Sequence, residues 1–121
     1  MARHLNLVVC SDEQRRGAWP AAVRRLGRRA VSAPTLDRAL VVQNTVRPAL
    51  VFTDADLADG RAVALIRALR AVSVLEQVCM VVFGLVTPDE GHDLAGDPYV
   101  DVLQGSDNDA IGGLLDQLRA A

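Results

Sequence analysis

"LVFTDADLADGRAVALIRALR", residues 50–70, sets a short apolar run directly against a longer stretch whose apolar residues recur at helical spacing. Leu50 to Thr53 are apolar or β-branched without interruption, as in a strand buried on both faces. From residue 60 to 72, Val63, Leu65, Ile66 and Leu69 fall on one side, with Arg61, Arg67 and Arg70 on the other. Between them lie Asp54, Asp56 and Asp59, three carboxylates at the exit of a predicted strand. Either they are turn chemistry, or one of them reacts.

The same alternation extends in both directions. Upstream, "LNLVVC" (5–10) predicts a strand buried on both faces. "QRRGAWPAAVRRLG" (14–27) predicts a helix closed by Gly27, with Pro20 either kinking it or forcing a start near Trp19. "RAVSA" (29–33) predicts a weaker strand, and residues 34–46 a helix opened by Pro34 and Thr35. Downstream come a strand at 78–84, a short glycine-containing helix at 87–96, a strand at 99–104 and a terminal helix at 106–121. Five strands alternating with five helices predict a single α/β domain over residues 1–121. Its expected core is a five-stranded doubly wound parallel sheet in the order 2-1-3-4-5, with helices on both faces.

Composition narrows the function. The 121 residues include only four aromatics (Trp19, Phe52, Phe83, Tyr99), too few for a platform that stacks single-stranded bases. Residues 1–53 carry nine Arg against three acids, a balance of +6, whereas residues 54–121 carry four Arg against twelve acids, −8. The basic half suits either a solvated helix face or a surface for an acidic partner, while the acidic total makes nucleic acid an unfavoured partner. All thirteen basic residues are Arg. The absence of lysine excludes Schiff-base chemistry and an ammonium phosphate clamp. Cys10 and Cys79 sit in apolar runs and are expected to be buried free thiols. No apolar run reaches transmembrane length, so the expected setting is the cytoplasm, away from the membrane.

In an open parallel sheet, ligands bind beyond the carboxyl ends of the strands at the switch point, here between the first and third strands. The residues delivered there are Cys10, Ser11, Asp12 and Glu13 from the first, and Asp54 and Asp56 from the third. Carboxylates at such an edge suit a hard divalent cation such as Mg²⁺, and an Asp can also accept a phosphoryl group.

The stretch from Ala30 to Arg70, "AVSAPTLDRALVVQNTVRPALVFTDADLADGRAVALIRALR", resembles without gaps the middle of response-regulator receiver domains, the CheY-like family. By element order the resemblance covers essentially the whole chain. It implies a flavodoxin/CheY-like fold, with Asp54 as the phosphoacceptor and Asp56 at the position whose backbone carbonyl helps bind Mg²⁺. The implied metal set is Asp12, Asp54 and Asp56, with Asp12 brought in by a small shift of register. The implied partner is a histidine kinase or other signalling protein, and a homodimer is compatible with it. Output would run through the fourth helix, fifth strand and fifth helix.

Departures from the family pattern are concentrated at the site. Cys10 and Ser11 stand where the metal-binding acids belong, and Phe83 stands where a Thr or Ser hydroxyl would meet the phosphoryl oxygens. Gly105 stands where a lysine belongs, and no realignment can supply one. The resemblance therefore implies an atypical receiver or pseudo-receiver. Two functions remain open: a two-component phosphorelay domain that accepts a phosphoryl group on Asp54, and a phosphorylation-independent adaptor on the same fold. Neither is an enzyme in the ordinary sense. A flavin- or nucleotide-binding role is disfavoured because "SDEQRRG" (11–17) brings acids to the place of a phosphate cradle. Local roles compete with the functional ones throughout. Asp12 suits a helix N-cap, Asp56 and Asp59 suit turns and helix starts, and Trp19 suits helix packing or an interface.

Overall fold

Three strands without a polar face form the centre of a computed structural model that describes residues 5–71, 78–104, 112, 113 and 116. They are β1 (Leu5–Val9), β3 (Leu50–Asp54) and β6 (Cys79–Phe83). Flanking them are β2 (Arg29–Ala33) and β7 (Val100–Leu103), whose half-exposed patterns suit sheet edges. The order is β2-β1-β3-β6-β7 with every pair parallel, which is the expected 2-1-3-4-5 winding. An unexpected element is a hairpin of two-residue strands, β4 (Asp56–Leu57) and β5 (Gly60–Arg61). Gly60 and Arg61 therefore precede the third helix instead of beginning it.

Successive side chains along a strand point to opposite faces, so the sheet has two cores. Leu7, Val9, Val51, Met80 and Val82 meet Leu65, Ile66, Leu69 and Leu94 on one face. Val8, Cys10, Phe52, Val81 and Phe83 meet Trp19 and Val23 on the other. Helix α1 (Glu13–Arg25) covers the second face, while α2 (Leu36–Val46), α3 (Ala62–Arg70) and α4 (Pro88–Ala95) supply residues to the first. Trp19 is fully buried, with its ring edge-on to Phe52 at 4.7 Å and to Phe83 at 5.7 Å. It is a packing residue and not an interface anchor.

Helix ends follow sequence signals. Asp12 accepts the Arg15 backbone N–H at 3.0 Å, and Glu13 follows in the first turn, complementing the dipole. Pro20 neither starts nor ends α1, which runs through it to Arg25. Gly27 then turns left-handed at φ 76°. Thr35 caps α2, and Arg47, left-handed at φ 49°, ends it before Pro48. Thr87 and Glu90 form a reciprocal capping box that gives the glycine-containing α4 a defined start. The expected terminal helix at 106–121 lies outside the described residues, except that 112, 113 and 116 are helical. Cys10 is buried as expected, but Cys79, the first residue of β6, is exposed, although its register partner Leu50 is buried. No helix among the described residues is long and apolar enough to cross a membrane.

Candidate functional site: a carboxylate held by an arginine

Asp54 is the last residue of β3, and Val9 of β1 pairs with its neighbour Thr53. The carboxylate therefore emerges at the carboxyl edge of the sheet beside Cys10, at the switch point. It is nearly buried, its side chain 7% exposed, and its Oδ1 accepts a hydrogen bond from Arg15 Nη1 at 2.9 Å. Arg15 reaches it because side chains on a helix lean toward its amino end. From the first turn of α1, that direction is the mouth of the site. The same guanidinium lies 5.3 Å from the centre of the Trp19 ring, so an aromatic face and a carboxylate both orient it.

The neighbouring positions are engaged with one another. Cys10 is buried; desolvation and the adjacent Asp54 carboxylate push its thiol up to about 12, and it donates weakly to the Asp12 carbonyl at 3.5 Å. Ser11 donates to the Pro34 carbonyl at 2.7 Å and accepts the Ala58 backbone N–H at 2.9 Å, tying together the loops that follow β1, β2 and β3. Asp12 remains at the N-cap, where the Arg15 backbone N–H holds its carboxyl below the usual range, and Arg15 Nε is 3.9 Å away. Asp56 points outward, 82% exposed, with Arg61 at 3.6 Å.

Phe83 pairs in register with Asp54, and its ring turns down into the core against Trp19. Its carbonyl accepts the Ala55 N–H at 2.8 Å. Gly84 follows at φ 126°, and a Cβ on it would lie 3.4 Å from the Ala55 Cβ. Gly105 lies outside the described residues.

The residues present do not fit Mg²⁺. Asp12, Asp54 and Asp56 do not converge: among the described residues no three His, Cys, Asp or Glu side chains gather as a metal site. The Asp12 carboxylate is engaged at the helix terminus and lies 3.9 Å from Arg15, Asp54 is bonded to the same guanidinium, and the Asp56 side chain lies beside Arg61. A divalent cation at Asp54 would also sit beside a fixed positive charge.

Three contributors are not evident from the residue pattern. Arg15 is the first; its signal is its place three residues after an N-cap, on the turn that faces the strand ends. Asp59 is the second. It caps α2, its two oxygens accepting the N–H groups of Leu36 at 2.7 Å and Asp37 at 3.0 Å, instead of starting its own helix. Arg61 is the third. It donates to both oxygens of Glu90 and to the Leu85 carbonyl, pinning the loop after β6. Glu90 also accepts the Thr87 N–H, and with Arg61 as the larger influence its carboxyl falls to about 2.

No family model matches the chain, and no curated protein is similar to it in sequence. Solved structures are similar. A response regulator receiver protein from Pseudomonas putida is 26% identical, covering 100% of this chain and 99% of that one, with a TM-score of 0.82. The chemotaxis protein CheY4 of Vibrio cholerae is 15% identical, covering 98% of both chains, with the same TM-score of 0.82. The receiver domain of a signal transduction histidine kinase from Syntrophus aciditrophicus is 15% identical, covering 98% of this chain and 94% of that one, at 0.73. Over nearly its whole length the chain has the fold of the CheY-like response-regulator receiver domains, at low sequence identity.

Proposed function

We propose that this receiver-like signalling domain works as a phosphorylation-independent interaction module, a pseudo-receiver whose acceptor carboxylate is held by its own arginine. The observation that supports this reading is the 2.9 Å pair between Arg15 Nη1 and Asp54 Oδ1. Phosphoryl transfer needs positive charge arranged around the equatorial oxygens and a carboxylate oxygen free to attack in line. Here the first strand contributes a thiol and a hydroxyl, β6 ends in a phenyl ring, and the chain has no lysine. Of the guanidinium groups at this mouth, Arg16 is turned to the Cys10 and Ser11 carbonyls and Arg15 is spent on the nucleophile itself. The carboxylate then has a structural role, closing the mouth of the sheet together with the Ser11 bridge.

A module of this kind acts by binding another signalling protein, a histidine kinase among the candidates, rather than by catalysis. Free thiols at Cys10 and Cys79 suit the reducing cytoplasm. The test is incubation with acetyl phosphate and Mg²⁺, followed by intact-mass measurement. The expected result is no phosphoryl adduct, and no change of Trp19 fluorescence on Mg²⁺ titration. An adduct that disappears in Asp54→Asn would replace this reading with the phosphoacceptor one.

A further inference from the structure

The arginines of this chain fall into two groups, and the structure treats them differently. At the start of α3 and along it, the outward arginines are each matched to a carboxylate: Arg61 to Glu90, Arg67 to Asp93 and Arg70 to Asp97, at 2.8, 3.0 and 2.7 Å. At the amino edge of β1 and β2, four arginines lack such a match among the described residues. Arg24 and Arg25 end α1, Arg28 and Arg29 lead into β2, and Arg47 caps α2. Among the described residues Arg24, Arg25, Arg29 and Arg47 make no ion pair, and all four are exposed.

Topology brings these residues to one edge of the sheet. Helices in a parallel α/β fold run opposite to the strands, so the ends of α1 and α2 lie at the amino edge of the sheet, where β2 begins. Leu5 pairs with Arg29 in register, and its carbonyl accepts the Ala49 N–H at 2.8 Å, two residues after Arg47. Arg29 thus lies about 10 Å from Ala49 across the start of β1 by strand spacing, and Arg47 stands two residues before Ala49. Arg24 is tied across to β2 by a 2.9 Å bond to the Ala30 carbonyl. Asp54 lies at the opposite end of the sheet, a helix length of about 20 Å away.

We propose that this amino-edge arginine cluster is a docking surface for a short acidic segment of a partner protein. The proposal rests on the interaction-module reading only in that output passes through a protein. Arginine suits the surface, since its planar fork binds carboxylates in pairs and holds its charge at any physiological pH. A long polyanion such as duplex DNA fits less well. Its ends would extend beyond the patch over a chain whose residues 54–121 carry four Arg against twelve acids.

The experiment uses the full chain, a fluorescein-labelled ten-residue glutamate peptide and a mixed-sequence duplex DNA, with fluorescence anisotropy at about 0.15 M ionic strength, where exposed charges more than about 8 Å apart are screened. The expected result is saturable peptide binding that weakens about tenfold or more in Arg25→Glu/Arg29→Glu. Arg38→Glu makes the same change of charge in the first turn of α2, at the Asp54 end, and should stay within about twofold of wild type. If the double reversal fails to fold, Arg25→Gln/Arg29→Gln should still weaken binding about threefold or more. Absent saturable binding, equal loss in Arg38→Glu, tighter binding of DNA than of peptide, or self-association of the chain in place of peptide binding would each overturn the proposal. Acetyl-phosphate labelling of Asp54 would overturn the pseudo-receiver reading and leave the peptide result standing.

Discussion

Replacing Arg15 by Ala should be unusually costly for a change on the first turn of a surface helix. Surface substitutions typically fall within about 0.5 kcal/mol, whereas breaking a buried ion pair by removing one partner costs about 3–5 kcal/mol. Asp54 meets the second condition, its side chain 7% exposed, but Arg15 is 26% exposed, so water can partly replace it. That discounts the loss to about 2–3 kcal/mol, including the lost contact with the Trp19 ring. For a domain of this size each kcal/mol is about 3–5 °C of melting temperature, so Arg15→Ala should melt about 6–15 °C lower. The discriminating assay is a double-mutant cycle of Arg15→Ala and Asp54→Asn by urea denaturation. A direct pair predicts a coupling energy of about 1–3 kcal/mol, the double variant being less damaged than the sum of the singles. Coupling under about 0.5 kcal/mol would show that Arg15 does not hold Asp54, and the case for a self-occupied site would end there.

Other parts of the structure make further commitments. Glu90 is held down at about 2 by Arg61 and by the Thr87 N–H, against 4.5 ordinarily. A lowered folded-state value adds stability above the ordinary value and loses it as pH falls toward 2, so acid unfolding of the wild type should steepen in that window. In Glu90→Gln that part of the pH dependence should be absent; an unchanged titration of stability would contradict the Arg61–Glu90 geometry. Gly84 has φ 126° with Ala55 close beside it, so Gly84→Ala should cost about 1–3 kcal/mol in thermal or urea unfolding, and a neutral result would rule out that backbone conformation. With Cys10 buried and pushed up to about 12 while Cys79 is exposed, a thiol reagent at mildly alkaline pH should modify one cysteine of the native chain. The second should react only on unfolding, and rapid loss of both thiols would contradict the burial of Cys10.

Much of the architecture is legible in the residues. Runs such as Leu5–Val9 and Leu50–Thr53 have no polar face, which only a strand covered on both sides tolerates. The helical spacing of Val63, Ile66 and Leu69 points the same way, and the alternation of the two patterns leaves a right-handed parallel winding as the consistent solution. Local rules also place Asp12 as a cap and Thr87–Glu90 as a helix start. Pro20 is ambiguous in sequence because propensity disfavours it inside a helix, while burial of Trp19 and Val23 against the sheet carries α1 through it. Cys79 departs from expectation because an apolar run does not say which of its residues the packed fold covers.

The order of hydrophobic and punctuating residues is thus sufficient for the sheet, its winding and the delivery of Asp54 to its edge, since those depend on periodicity along the chain. What Asp54 touches there is decided in three dimensions. Arg15 is 39 positions away, Asp59 bonds 22 and 23 positions back, and Ser11 bridges segments that meet only when three loops converge. A carboxylate's partner is set by which charge arrives within about 3 Å in a water-poor crevice, and that distance exists only after the chain has packed.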